Sequence, residues 1–142
     1  MNMEKERILG LMKKHVVGVL ATVAENGVSE AAPVEFAETD SCEIIFDTST
    51  NYRKYKNLLV NPKVAFVIGG NEGENQAVQY EGVARELTGA EKEHYKKIYF
   101  AKVSDAEKWG AFPETVYFVI TPTWVRHLDY NTSPPTVFEI TF

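Results

Sequence analysis

The fold class of this chain is decided by the stretch Val16-Val-Gly-Val-Leu-Ala-Thr-Val-Ala-Glu-Asn-Gly-Val28. Its first eight residues are rich in β-branched side chains and almost continuously apolar, which is typical of a buried strand. The dipeptide Asn26-Gly27 comes soon after and favours a two-residue type I′ turn. We therefore predict a β-hairpin, whose second strand covers about residues 28–38 and pairs antiparallel with the first.

The rest of the chain predicts further strands interspersed with helices. Pro33 places the second strand at a sheet edge or a bulge, and Pro122 predicts a break near the C-terminus. Because the early strands are joined by hairpins, we predict a mainly β fold, a small antiparallel barrel with peripheral helices, in one domain over residues 1–142. Patterning predicts strands over 43–48, 63–69, 76–87, 116–120, 124–130 and 136–142, and helices over 3–14, 52–60 and 88–102 with one more turn at 104–110.

Composition excludes several classes of protein. The chain has 142 residues, of which 44% are hydrophobic, and a net charge of -5, which argues against sequence-independent nucleic-acid binding. No apolar run approaches the roughly 20 residues that span a bilayer, so no membrane insertion is expected. A single cysteine, Cys42, and no recognisable signal peptide lead us to expect a cytoplasmic protein. The three histidines are scattered, and we expect no metal site.

A candidate anion site lies in Asp47-Thr-Ser-Thr-Asn-Tyr-Arg-Lys-Tyr-Lys-Asn-Leu-Leu-Val-Asn-Pro62. Asn51 is suited to cap the predicted helix, which places Arg53 and Lys54 in its first turn. Cations are disfavoured there, because the unpaired N–H groups of a helix N-terminus already carry partial positive charge. A bound anion such as a phosphate would resolve the conflict. The alternative is a solvated basic helix face.

Three further features each have a structural alternative. Gly69–Asn75 contains glycines but two acidic residues, so a hairpin loop is favoured over a nucleotide cradle. Cys42 lies beside Asp40 and Glu43, which would not activate a thiol. Trp109 and Trp124 are suited to stacking on a planar ligand, although core or interface packing explains most tryptophans.

Four motifs follow one another along the chain: Phe46-Asp-Thr48, Tyr52-Arg-Lys-Tyr-Lys-Asn-Leu58, Asn61-Pro-Lys-Val64 and Gln79-Tyr-Glu-Gly-Val-Ala84. Their order resembles the pyridoxamine 5′-phosphate oxidase-like family of FMN-binding split barrels. The resemblance covers roughly residues 8–130. It implies a six-stranded antiparallel Greek-key split β-barrel, a homodimer, and FMN bound at the dimer interface.

The resemblance also implies site residues. Arg53 and Lys54 match the Arg-Lys pair on the FMN phosphate, and Asp47 and Thr48 match the strand end beside the cofactor. The second strand, around Val34, would face the isoalloxazine through its backbone. The remaining cofactor contacts implied are Gln79, which would substitute for a family glutamine aligned with Ala77, and Trp124 or Arg126 reaching the flavin of a partner.

Departures from the family pattern shape the functional expectation. Ala31 and Ala32 stand where the true oxidase has an arginine, and Arg126-His127 do not reproduce its Arg-x-His substrate element. We therefore do not expect vitamin B6 oxidation. We expect a small general redox or stress-type member of the family. The primary hypothesis is an FMN-dependent oxidoreductase moving electrons between a donor such as NAD(P)H and a small-molecule acceptor, with no catalytic side chain identified. The alternatives are a non-catalytic flavin or haem binder of the same fold, and a structural dimer whose site has lapsed.

Overall fold

The computed structural model describes residues 2–142. No helix among these residues has the length and apolar character to cross a membrane. The elements are α1 (Met3–Lys14), β1 (Val17–Val23), β2 (Ser29–Glu35), β3 (Ala37–Glu38), β4 (Ile44–Ser49), α2 (Arg53–Val60), β5 (Lys63–Gly69), β6 (Gln76–Glu86), α3 (Gly89–Lys102), a 3₁₀ helix (Ser104–Ala111), β7 (Thr115–Asp129) and β8 (Thr136–Thr141).

The strands form one antiparallel sheet in the order β2-β1-β5-β6-β7-β4-β3, with β8 added to β7. The two strands at the ends of this order, β2 and β3, are separated in the chain by Phe36 alone. The sheet must therefore curl until its ends meet, which produces the split barrel. The predicted mainly β fold with peripheral helices is confirmed. Residues 2–142 form eight strands rather than the six that the resemblance implies, because the second predicted strand divides at Phe36 and the strand predicted over 136–142 pairs with β7 as β8.

Two apolar clusters lie on opposite faces of this sheet. Inside the barrel, alternate side chains such as Leu20, Phe66 and Tyr80 pack together, and α1 adds Ile8 and Met12. A second cluster lies between the other sheet face and α3. Because the period of a strand is two, consecutive residues of β4 serve both clusters. Its last residues, Asp47–Ser49, line the site described below, while the strand packs against apolar clusters on both faces.

The hairpin between β1 and β2 forms as predicted, but its turn differs. Ala24 and Val28 close a three-residue loop through the Ala24 N–H donating to the Val28 carbonyl at 2.8 Å. Of the loop residues only Gly27 has a positive φ, +87°. This is the pattern of a type I turn followed by a left-handed glycine, so the predicted type I′ turn is wrong. The Asn26 side chain accepts a hydrogen bond from the Val28 N–H at 3.2 Å, which favours the observed turn.

The two prolines of the sheet behave differently. Pro33 lies in β2, an end strand of the sheet order, as predicted. Pro122 does not break β7, which runs continuously over Thr115–Asp129. A register shift beside Gly82 of β6 accommodates Pro122, so the predicted division into two strands is wrong.

The sequence Thr88-Gly-Ala-Glu91 is typical of a capping box at the start of α3, but no such box forms. Thr88 is the N-cap residue, but its side chain makes no capping hydrogen bond. Glu91, which was expected to complete the box, instead forms an ion pair with Arg85 at 2.7 Å.

Candidate functional site

The N-terminus of α2 carries no cap. Its N-cap residue is Tyr52, whose extended backbone has φ -93° and ψ 151° and whose side chain makes no capping bond. Asn51 does not take this role as predicted; its backbone N–H donates to Ser49 Oγ at 3.1 Å. The first turn contains Arg53 and Lys54 and no acidic residue. Uncapped N–H groups and two cations therefore meet at one place, which favours a bound anion.

A first cavity of about 320 Å³ opens at this helix end. Arg53 and Lys54, both predicted from the sequence, line it together. Arg53 is 81% exposed, and its Nη1 lies 3.3 Å from Glu30 Oε2. The complete lining is Leu20, Thr22, Glu30, Ala31, Ala32, Asn51, Tyr52, Arg53 and Lys54.

A second cavity of about 330 Å³ lies beside the first, and Tyr52 and Lys54 line both. The two cavities are therefore contiguous. The hydroxyl of Thr48 is buried and has no hydrogen-bond partner in the described residues, which is unusual for a buried polar group. The lining consists of Pro33, Val34, Glu35, Asp47, Thr48, Ser49, Tyr52, Lys54, Trp109 and Thr115.

Asp47 and Lys54 have shifted acid–base properties. Burial raises the pKa of Asp47, and the hydrogen bond that its Oδ1 accepts from the Tyr99 hydroxyl at 3.1 Å partly opposes this. Burial lowers the pKa of Lys54, and the negative charge of Asp47 partly restores it. Both shifts weaken the charged forms, because each group has lost part of its hydration. Perturbed groups of this kind in a cavity are characteristic of binding sites.

Three predicted site residues lie elsewhere, on the outer face of β6 and β7. Gln79 stands opposite Arg126, and Glu81 stands opposite Trp124 in the same ladder. The Arg126 Nε lies 4.0 Å from Glu139 on β8. None of Gln79, Trp124 and Arg126 lines either cavity. Within one chain these residues do not join the Arg53 and Lys54 group, so their predicted role depends on a partner copy.

Sequence patterning missed two residues beside the first cavity, Glu30 and Asn57. The period of α2 predicts an apolar stripe that includes Leu59 and a polar side that includes Asn57. Asn57 is instead buried and donates to Thr22 Oγ1 at 3.0 Å and to Glu30 Oε1 at 2.8 Å. Leu59, placed in the apolar stripe, is exposed. The position of Glu30 could have indicated its role, because it lies two residues before Ala32 in β2 and therefore on the same strand face.

Trp109 forms one wall of the second cavity. Its ring stacks on Phe112 with centroids 5.9 Å apart, and both side chains are about half exposed. An aromatic face thus stands beside a cavity with polar groups, as the sequence suggested for Trp109. In residues 2–142 no group of three or more His, Cys, Asp or Glu side chains is placed to hold a metal ion.

Residues 5–129 match the sequence profile of the pyridoxamine 5′-phosphate oxidase family. The chain belongs to this family. A pyridoxine/pyridoxamine 5′-phosphate oxidase from Thermosynechococcus vestitus is 33% identical over 93 residues, which are 66% of this chain and 42% of that protein. The match thus spans less than half the length of this oxidase.

Solved structures share the fold of this oxidase-family chain. A heme binding protein from Mycobacterium smegmatis superimposes with a TM-score of 0.85 at 18% identity, over 99% of this chain and 59% of that one. A pyridoxamine 5′-phosphate oxidase-related, FMN binding protein from Nostoc punctiforme has a TM-score of 0.68 at 12% identity, over 100% and 97% of the two chains. At these identities the likeness concerns the fold alone.

The part of the chain that matches the oxidase family includes every residue lining the two cavities. It also includes the outer-face residues Gln79, Trp124 and Arg126, and it ends at Asp129, the last residue of β7. The β8 strand lies outside the match. The candidate site is therefore built wholly from the segment that the family shares.

Proposed function

We propose that this chain is an FMN-binding oxidoreductase that moves electrons between a donor such as NAD(P)H and a small-molecule acceptor. The observation that carries the proposal is the pair of contiguous cavities sharing Lys54. One cavity presents cations and an uncapped helix end, and the other presents an unpartnered hydroxyl and an aromatic wall. This arrangement matches the two ends of a phosphorylated planar cofactor.

The first cavity is suited to the FMN phosphate. Arg53 and Lys54 would supply charge-assisted hydrogen bonds, and the first N–H groups of α2 would add donors. Arg53 is free to adapt, because most of its side chain is exposed. Lys54 is the more constrained of the two, since it lies between both cavities with its Nζ 5.1 Å from the Tyr52 ring centroid.

The second cavity is suited to the flavin ring. Val34 on the edge strand β2 provides an apolar surface and backbone groups, while Asp47 and Thr48 provide polar atoms. When bound, FMN supplies the redox chemistry, and the protein binds, orients and shields it. The partly buried lining and Trp109 would limit the access of water to this end of the site.

The proposal includes a homodimer, with the cytoplasmic location expected from the sequence. Four valines on the outer face of β1, β5 and β6 are each about half exposed: Val17, Val19, Val67 and Val83. An apolar face of this kind is characteristic of an interface. A partner docked there would also cover Gln79, Trp124 and Arg126, which explains how residues outside both cavities would reach a cofactor.

Haem is a weaker candidate for this chain, although the Mycobacterium smegmatis neighbour is described as binding heme. None of the residues lining the two cavities is a histidine. His127, the buried histidine, instead stacks on Phe138 at 5.0 Å. The cations and the hydroxyl that do line the cavities favour a phosphate-bearing flavin.

Anaerobic reduction tests the enzymatic part of the proposal. The protein is loaded with FMN and mixed with NADH or NADPH, and the visible flavin absorbance is followed before and after air is admitted. We expect bleaching by at least one donor faster than for free FMN, followed by recovery in air. A loaded protein that dithionite bleaches but neither nicotinamide does would instead be a flavin binder without this activity.

A further inference from the structure

A carboxylate already lies in the cavity assigned to the phosphate. Glu30 Oε2 lies 3.3 Å from Arg53 Nη1, and Glu30 Oε1 accepts a hydrogen bond of 2.8 Å from Asn57 Nδ2. The Glu30 side chain is only 16% exposed. Asn57 is itself buried and fixed by a second bond to Thr22 Oγ1 at 3.0 Å. The hydrogen bond from Asn57 therefore keeps the Glu30 carboxylate in the cavity.

Glu30 offsets one of the two positive charges in this cavity. Its ionised lining groups are Glu30, Arg53 and Lys54, which together carry a net charge of about +1. Among the described residues Arg53 pairs with Glu30, while Lys54 has no carboxylate within ion-pair distance. A phosphate monoester carries about -1.5 to -2 at neutral pH. Such an anion must compete with Glu30 for Arg53 and then lie near a carboxylate that Asn57 retains.

We propose that Glu30 is a specificity-determining residue that weakens the binding of a dianionic phosphate ester in this cavity. This inference rests on the proposed function and deepens it. Glu30 takes the anion position on Arg53 in the ligand-free protein and repels the phosphate once it is bound. A flavin without a phosphate group does not meet this opposition.

Reversible loading follows from this role. Two cations and an uncapped helix end without an opposing carboxylate would hold FMN tightly. With Glu30 present, FMN exchanges with solution, and the protein takes up the flavin as a dissociable ligand. Removing the negative charge at position 30 gives a site that retains FMN.

The test compares the dissociation constants of FMN and riboflavin for the wild-type protein, Glu30→Gln and Glu25→Gln by fluorescence titration. Glutamine keeps an oxygen that accepts from Asn57 but removes the charge beside Arg53. Glu25→Gln removes the same charge from the exposed hairpin loop, outside both cavities. We expect Glu30→Gln to bind FMN on the order of tenfold more tightly. Riboflavin affinity should change much less, and Glu25→Gln should resemble the wild type. Glu30→Gln should also retain more FMN through gel filtration.

Each outcome has a distinct meaning. Unchanged or weaker FMN binding by a folded Glu30→Gln, with clear binding by the wild type, would overturn this inference and leave the proposed function standing. Equal tightening for riboflavin would also overturn it, because the effect would not act on the phosphate. Failure of both proteins to bind FMN would reject the proposed function and this inference together. A melting curve of each variant establishes that it is folded.

Discussion

The Tyr99 hydroxyl donates a hydrogen bond of 3.1 Å to Asp47 Oδ1 and thereby ties α3 to the strand beside the second cavity. The other carboxylate oxygen, Oδ2, is buried and has no partner among the described residues. Asp47 thus lies between α3, whose Tyr99 holds it, and the second cavity, which it lines. A half-satisfied carboxylate costs stability when it is charged.

The pKa of Asp47 gives a prediction for stability against pH. Because burial raises the folded pKa above its ordinary value of 3.8, the native state binds the proton more tightly than the unfolded state. The resulting stability is present below the ordinary value and is lost as pH rises through the raised value. Asp47→Asn should therefore melt at a higher temperature than the wild type at pH 7, with a smaller difference near about pH 4.

Scanning calorimetry at the two pH values measures this difference. Glu72→Gln, which changes an exposed acid in the β5–β6 loop, should show no such pH-dependent gain. A lower melting temperature for Asp47→Asn at pH 7 would show that the Tyr99 bond needs the carboxylate charge, contrary to our account of burial.

Charge reversal at Lys54 tests the shared wall of the two cavities. Lys54→Glu places a repelling charge at the phosphate without adding bulk to the core, so FMN binding should weaken about a hundredfold or more while the fold is kept. Lys56→Glu makes the same change on the exposed side of α2, outside both cavities. Fluorescence titration and circular dichroism should show a large loss for Lys54→Glu only. Near wild-type affinity would remove Lys54 from the site.

Because the sheet is closely packed at the register shift beside Pro122, we expect a side chain at Gly82 to destabilise the protein. A Cβ on Gly82 would lie 2.5 Å from the Thr121 carbonyl oxygen and 2.6 Å from Ile120 Cγ2. Gly82→Ala should therefore lower the free energy of unfolding by about 2 kcal/mol or more. A Cβ on Gly10, on the exposed side of α1, would have no atom within 4 Å. Gly10→Ala should therefore raise the free energy of unfolding by about 0.5–1 kcal/mol. Urea denaturation compares them, and equal effects would contradict the close packing at Gly82.

The outer valine face predicts the oligomeric state. Val67→Glu places a charge in the centre of this face, where Val67 stands opposite Val19 of β1. We expect the wild type to be a dimer and Val67→Glu a monomer by light scattering, because an unpaired charge is costly in an apolar interface. Val28→Glu alters a more exposed valine in the hairpin and should remain dimeric. A monomeric wild type would remove the proposed interface, and a dimeric Val67→Glu would place it elsewhere.

Local patterning predicted the strands, the helices and the Arg53 and Lys54 pair, because these depend on period and on neighbouring residues. It failed where a residue of another element competes for a partner. Glu91 forms an ion pair with Arg85 instead of completing the cap of α3, and Glu30 meets Arg53 only after the barrel has closed. Pro122 is tolerated because its partner strand carries Gly82 at the register shift.

Helix α2 shows the same limit on a smaller scale. Its period predicts an apolar stripe that buries Leu59. The fold instead buries Asn57, because Thr22 and Glu30 satisfy its amide. A buried amide of this kind is stable only with its partners in place, and they come from strands far away in the chain.

The most direct test of the central claim is an equilibrium titration of the wild-type protein with FMN, followed by flavin fluorescence and by the melting temperature. We predict saturable binding of one FMN per chain and a melting temperature that rises with FMN concentration, because a ligand of the native state stabilises it. Fluorescence and a melting temperature that both stay unchanged as FMN is added would contradict the assignment of the two cavities to FMN.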